Sequence, residues 1–377
     1  MINYEFEIDS RWCQVNSEFA KALSFVSEYL THYVLAEGRV KLFLEDHENA
    51  ELSRLNFIRL IEQFKKNSDD REDHIYEHSG KGQFFDHYAI NDSEMIHNFG
   101  DGLIGLEGPA LKLLEFFDHT FRSFAVDLGA TEKQYPVLLP MGAMEKTGYL
   151  RTSPQYSMLV SNVRENMDCL SQLTHSLREG SIAQKLSNPG FVLSPAACFH
   201  CYMDMEGQKL ETSQVITLRQ HVFRHEGSLN WGQYGRLRDY QVREVVFVGS
   251  SDFVIDKRNR LIDITKQWIE KIGLTARLSI THDPFVIPEM QKFKKIQRLE
   301  QSKIELQLAI DSQRYMACSS FNLHGKAFTD SFHFSVRGNE ETVTGCVGFG
   351  LERWVLAFLS QFGTDVNNWP LKHMEIL

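Results

Sequence analysis

Two charged side chains stand two positions apart in Val222-Phe223-Arg224-His225-Glu226-Gly227. A strand is expected over 214–225, and its alternation would put Arg224 and Glu226 on one face. A guanidinium and a carboxylate on a half-buried sheet face are costly unless a ligand or a partner meets them. The planar Arg fork suits a phosphate, and a carboxylate can accept from an amino group. A structural ion pair is the plain alternative.

A second stretch runs Gly345-Cys346-Val347-Gly348-Phe349-Gly350-Leu351-Glu352-Arg353-Trp354. The glycines precede an expected amphipathic helix with Arg353 in its first turn. Small residues there let backbone approach a ligand. The same pattern also serves as an ordinary helix start, and it is not a dinucleotide fingerprint.

Sulfur and a lone carboxylate add a third set. Cysteines stand at 13, 169, 198, 201, 318 and 346. Cys198-Phe-His-Cys201 has the spacing of zinc or redox chemistry, but no second close pair completes a zinc knuckle. On a strand, a separation of three puts the two thiols on opposite faces. One of them would then join distant ligands, and Cys318 sits on another expected strand. A free buried cysteine is the alternative for each. Glu244 leads into the apolar run Val245–Val248 of an expected strand, where a carboxylate needs a cation, either a metal or an arginine.

The elements that must hold these residues follow from periodicity. Helices are expected over 17–35, 50–65, 107–125 and 351–362, and 155–187 reads as mostly helical. Residues 66–102 read as polar, with a charged run over 65–73. Turn chemistry places a domain boundary near 100–105. Residues 135–141 read as extended. Strands are expected over 190–194, 197–205, 214–225, 240–250, 276–281, 304–310, 314–321 and 331–337. The fold class is therefore α+β, a large antiparallel sheet with helices packed outside. An N-terminal α/β extension, 1–100, would precede a catalytic domain, 101–377.

The 377 residues carry 40 basic and 50 acidic side chains, a formal charge of −10. Hydrophobic residues are 42%, which excludes wholesale disorder. An acidic chain is a poor general nucleic-acid binder unless its basic residues cluster. No apolar run approaches the length that spans a bilayer. No signal peptide is read at the N-terminus, so reduced thiols and a cytoplasmic location are expected.

Taken in order, Phe223-Arg224-x-Glu226, the return through Arg243-Glu244, and Gly348-x-Gly350-x-Glu352-Arg353 resemble motifs 2 and 3 of class II aminoacyl-tRNA synthetases. Pro195-Ala196-Ala197-Cys198, Ser320-Phe321-Asn322-x-His324 and Thr344-Gly345-Cys346 are similar to truncated seryl-tRNA synthetase homologues, the amino acid:[carrier protein] ligases. The likeness covers roughly 100–365. It implies a class II synthetase-like antiparallel sheet flanked by helices, with residues 135–141 as the motif 1 of a homodimer interface.

The resemblance also implies roles. Arg224 would grip the ATP α-phosphate and the substrate carboxylate. Glu226 would recognise the adenine amino group. Arg353 would lie against the adenine and reach the γ-phosphate. Cys198, Glu244 and Cys318 would hold a zinc ion that binds the α-amino group of the amino acid, and Glu305 would serve Mg²⁺. The aromatic that stacks on adenine falls at Val242.

The implied activity is ATP-dependent formation of an aminoacyl-adenylate from a small amino acid. Transfer to the phosphopantetheine thiol of a carrier protein would follow. A tRNA-charging enzyme and a non-catalytic amino-acid sensor are the alternatives. Against tRNA stand the acidic charge and the lack of a basic helical arm ahead of the catalytic region. Lys292, Lys294, Lys295, Arg298 and Lys303 form a basic stretch that could dock an acidic carrier.

Overall fold

The computed structural model describes residues 2–13, 17–66, 73–283, 285–286, 290 and 292–371. Residues 67–72, the centre of the charged run, lie outside them.

The first 66 residues form a unit with its own core. Strands β1 (Ile2–Glu7), β2 (Leu30–Ala36) and β3 (Arg39–Leu44) pair antiparallel in the order β1-β3-β2. Helices α1 (Glu18–Leu23) and α2 (Ala50–Lys66) cover them, and Trp12, Phe19, Phe57 and Phe64 fill the space between. The single helix expected over 17–35 is two elements. Ser17 caps α1 by accepting from the Ala20 N–H, and the helix ends at Leu23. The following Leu-Thr-His-Tyr-Val-Leu-Ala is rich in β-branched and aromatic residues and alternates in burial as a strand does.

The large sheet has eight strands. They are β4 (Asp73–His78), β5 (Thr131–Glu132), β6 (Gln214–Phe223), β7 (Asp239–Gly249), β8 (Ala276–Ile280), β9 (Lys303–Ala309), β10 (Tyr315–Gly325) and β11 (Val343–Gly350). Their order is β4-β8-β9-β10-β11-β7-β6-β5, antiparallel throughout except for β5 beside β6.

β4 begins at the end of the charged run, in the stretch 66–102 that was expected only to be polar. A Cβ on Gly80 would stand 2.1 Å from the Gly273 carbonyl oxygen, and one on Gly82 would stand 2.5 Å from that of Gln361. Residues 73–82 thus join the large sheet and the helices that cover it, apart from the three-stranded sheet of residues 2–44. The turn near 100–105 belongs to a small hairpin, Ile96–Gly100 with Leu103–Leu106.

The helices that position the site are α3 (Gly108–Asp127), α4 (Phe199–Asp204), α5 (Ser251–Ile272), α6 (Lys292–Leu299) and α7 (Leu351–Phe362). α3, α5 and α7 cover one sheet face, where Phe117, Phe121, Trp268, Phe349 and Trp354 interlock. Ser250 caps α5 at its start, and Gly273, with φ 75°, closes it. Beneath these helices Arg243, 3% exposed, donates to both Asp118 oxygens at 2.7 and 2.9 Å and to Glu132 at 3.0 Å. That network ties β7, α3 and β5 together. No helix among the described residues is long and apolar enough to cross a membrane.

Three further expectations change. Residues 197–205 are not a strand but contain the whole of α4. Residues 155–187 contain a strand, Met158–Val160, and one α-helix, Met167–Arg178, capped by Asn166. Residues 331–337 split between a helix, Ala327–Phe332, and a two-residue strand, Ser335–Val336. Short apolar runs do not discriminate helix from strand, and packing decided each. The extended segment expected at 135–141 contributes Leu138–Pro140 to a three-stranded sheet with Met158–Val160 and Phe191–Leu193.

Candidate active site

The sheet face opposite α3, α5 and α7 opens into a cleft of about 1750 Å³. One row of residues crosses four strands of its floor. Glu244 pairs with Gly348, Gly348 with Ser320, and Ser320 with Glu305. Directly opposed residues share a face, so Glu244, Ser320 and Glu305 all point into the cleft. Gly348 supplies the gap in that row. A Cβ there would stand 2.8 Å from Glu244 Oε2.

Glu244 fills that gap with two cysteines beside it. Ligand atoms of Cys198, Glu244 and Cys346 lie within 4.8 Å of one another, and all three residues are buried. Cys198 sits at the N-cap of α4, Glu244 in β7 and Cys346 in β11. No lysine or arginine among the described residues pairs with Glu244, and burial pushes its carboxyl up to about 7. The Cys198 thiol, together with burial and Glu244, pushes the Cys346 thiol up as well. Two thiols and a carboxylate around one point, held short of a cation, are a donor set that fits zinc.

Cys318, the expected second sulfur ligand, lines the cleft only in part and turns its thiol away from the trio. Ser319 pairs with Leu306 and Ala317 with Gln307, so Cys318 is the extra residue of a β-bulge. A one-residue insertion inverts the facing of what lies beyond it. The Cys318 thiol points into the helix-covered core, donates to the Met316 carbonyl at 3.3 Å, and is pushed up to about 12 by burial. Cys346 takes its place. The clue was parity: Cys346, Gly348 and Gly350 are two apart on one strand. Cys201 lies inside α4 facing Tyr135, outside the trio.

Arg224 and Glu226 line the cleft from a loop, because β6 ends at Phe223. Arg224 Nε donates to the Pro195 carbonyl at 3.0 Å. Its two terminal nitrogens have no partner among the described residues. Burial would raise Glu226, but Arg236, Arg353 and Arg224 outweigh it and hold the carboxyl below its ordinary value. Arg236 Nη1 donates to Glu226 Oε2 at 2.6 Å. The sequence offered Arg236 only as one basic residue among several in the returning loop.

Arg353 is aimed by two backbone carbonyls, Gly235 at 3.1 Å and Ala317 at 3.3 Å. Its guanidinium carbon stands 5.2 Å from the centre of the Tyr240 ring. Tyr240 is therefore the ring that Arg353 lies against, while Val242 packs beside Gly348 and Glu244. Glu352 Oε2 accepts from the Gln241 N–H at 2.8 Å and fastens the start of α7 to β7. Glu305 is met by Lys303 at 3.2 Å, and Lys303 also pairs with Asp283 at 2.7 Å.

Within the basic stretch, Lys294 and Lys303 are committed to ion pairs, Lys294 with Glu18 at 2.7 Å. Lys295 remains exposed, beside exposed Ile296 and Leu299. The side chain of Lys292 lies outside the described residues.

Residues 188–362 match the model of the tRNA synthetase class II core domain (G, H, P, S and T). Amino acid–[acyl-carrier-protein] ligase 1 of Bradyrhizobium diazoefficiens is 30% identical over 258 residues, 67% of this chain and 77% of that protein. The chain belongs to the class II synthetase family. A type-2 serine–tRNA ligase of Methanococcus aeolicus is 28% identical over 277 residues, 70% of this chain and 53% of that ligase. The chain spans about half the length of the serine–tRNA ligases it matches.

Among solved structures, the seryl-tRNA synthetase of M. kandleri, determined with A. aeolicus tRNASec, aligns at TM-score 0.70 and 20% identity. That alignment covers 98% of this chain and 76% of the other. The cytoplasmic serine–tRNA ligase of Naegleria fowleri with AMP aligns at TM-score 0.60 and 10% identity, over 79% of this chain and 62% of that one. These likenesses show a class II synthetase fold, and the first includes nearly all of the N-terminal unit. Class II synthetases use ATP and Mg²⁺.

Proposed function

We propose that this protein activates a small amino acid with ATP and passes it to the phosphopantetheine thiol of a carrier protein. One observation carries the activation step. A metal-fitting trio, Cys198, Glu244 and Cys346, shares a cleft with Arg224, whose terminal nitrogens are uncommitted. The carrier-protein reading is supported by the ligase at 30% identity, of which this chain covers 77%, and the net charge of −10 counts against tRNA phosphate.

In the first step the amino acid carboxylate attacks the α-phosphorus of ATP and pyrophosphate leaves. The Arg224 fork would bind the α-phosphate and the carboxylate and offset the charge that develops between them. Arg353 and Tyr240 would flank the adenine. Glu226, kept ionised by Arg236, would accept from the adenine amino group. Glu305 would serve Mg²⁺. Cys198, Glu244 and Cys346 would hold zinc, which when bound supplies a Lewis-acid site for the substrate α-amino group. In the second step the carrier thiolate attacks the adenylate carbonyl, AMP leaves and a thioester forms.

The same reading includes a homodimer. Exposed Leu138 and Phe191 share one face of the small sheet that contains residues 138–140, an apolar surface suited to a second copy.

A tRNA-charging activity is the second reading. It is favoured by the 98% coverage against a synthetase solved with tRNA. The deciding experiment is amino-acid-dependent ATP–pyrophosphate exchange on zinc-loaded protein, followed by transfer of labelled amino acid. Exchange with a small amino acid and transfer to a phosphopantetheinylated carrier are expected. Transfer to tRNA alone would establish the second reading, and no exchange with any amino acid would overturn both.

A further inference from the structure

The N-terminal unit reaches the cleft through α1. Glu18 pairs with Lys294 at 2.7 Å and with His282 at 3.4 Å. The Lys21 carbonyl accepts from Asn230 Nδ2 at 3.3 Å. Phe25 meets Tyr156 edge-on at 6.0 Å, with His225 at 6.3 Å. Gly227, at φ +92°, has no Cβ, and one placed there would stand 2.6 Å from the Ser24 Cβ. The loop that carries Arg224, Glu226 and Arg236 is therefore seated against α1.

That seating brings a cation into the cleft wall. Lys21 is half-buried, lines the cleft, and faces Arg236, Glu18, Glu305 and Glu226. Each of those carboxylates already has a basic partner: Glu226 has Arg236, Glu305 has Lys303, and Glu18 has Lys294. The Lys21 ammonium has no ion-pair or hydrogen-bond partner among the described residues. With Arg236 already held by Glu226, Lys21 is the unmatched, partly desolvated cation beside it, and an incoming anion would offset its charge. Burial and Arg236 both lower the proton affinity of Lys21.

We infer that Lys21 is a phosphate-binding residue of the nucleotide site, supplied by the N-terminal unit for the β- and γ-phosphates of ATP. The inference rests on the nucleotide reading proposed above. Arg224 and Arg353 are placed for the α-phosphate and the adenine. The pair Lys21 and Arg236 supplies positive charge for the more highly charged end of the same ligand. An N-terminal unit that contributes a phosphate ligand also has to be docked on the cleft for ATP to bind fully.

Calorimetric titration of full-length protein with ATP and Mg²⁺, and separately with AMP, tests this. Lys21→Met is expected to weaken ATP by about tenfold or more and to leave AMP unchanged, because AMP lacks the outer phosphates. Lys21→Arg should restore most of the loss. Equal loss for both nucleotides, or no change in either, overturns the inference while wild-type binding upholds the nucleotide reading. Wild-type protein that binds no ATP overturns that reading and the inference with it. Should Lys21→Met fail to fold, amine acylation of the wild type read by mass spectrometry replaces it. ATP should protect Lys21 and AMP should not, and equal labelling with and without ATP overturns the assignment.

Discussion

The thiols of Cys198 and Cys346 lie within 4.8 Å of each other, one at a helix N-cap and one in the middle of a strand. Glu244 stands within the same distance of both. The three are brought together by sheet register and by the placement of α4, and Gly348 leaves the room they need.

Cys346→Ser should remove zinc from the protein as isolated, whereas Cys318→Ser should retain it. Elemental analysis of both variants beside wild type checks this. Zinc lost from the Cys318 variant and kept by the Cys346 variant would reverse the assignment of the third ligand.

Gly348→Ala should weaken zinc by about tenfold or more, the usual effect of disturbing the surroundings of a ligand. The new Cβ would press on the Glu244 carboxylate at 2.8 Å and on Val242 at 3.3 Å. Competition with a chromogenic chelator measures it, and unchanged affinity would mean that Glu244 does not need that space.

Asp118→Ala should destabilise the fold by about 3 kcal/mol or more, because it strips a buried guanidinium of its bidentate partner. Arg243 would be left with Glu132 alone. Urea unfolding reads the difference. A change below about 1 kcal/mol would show that the network is not structural.

Glu352 sets a pH dependence. Burial pushes its carboxyl from an ordinary 4.5 up to about 7 in the folded chain. The folded state thus favours the protonated form. That contribution is complete below about 4.5 and is lost as pH rises through about 7. Over that window the wild type should lose roughly 3 kcal/mol from this group, and Glu352→Gln should not. Urea midpoints for both proteins between pH 5 and 8 test the sign. Parallel curves would assign the carboxyl an ordinary value.

Much of this site could be read from local chemistry. Arg224, Glu226, Gly348, Gly350 and Arg353 were identifiable because each sits in a short segment whose composition already restricts backbone and charge. β6, β7 and α7 were identifiable because long apolar runs leave few alternatives, whereas the glycine-rich stretch that forms β11 gave no strand signal.

Pairwise relationships across the fold were not. The resemblance implied Cys318 as a ligand, and a single bulge at that residue turns its thiol into the core. Tyr240 and Val242 have the same parity on β7, so only the approach of Arg353 distinguishes them. Strand β4 is short and polar, and it is a strand because the edge of β8 was open to it. Lys21 sits in an amphipathic segment with no motif, and its place in the cleft exists only once α1 docks on the loop after β6. The amino acid sequence determined which chemical groups this protein carries and which segments are helix or strand by strong local preference. Tertiary structure decided which groups share a site, because facing, register and docking depend on contacts between residues far apart in the chain.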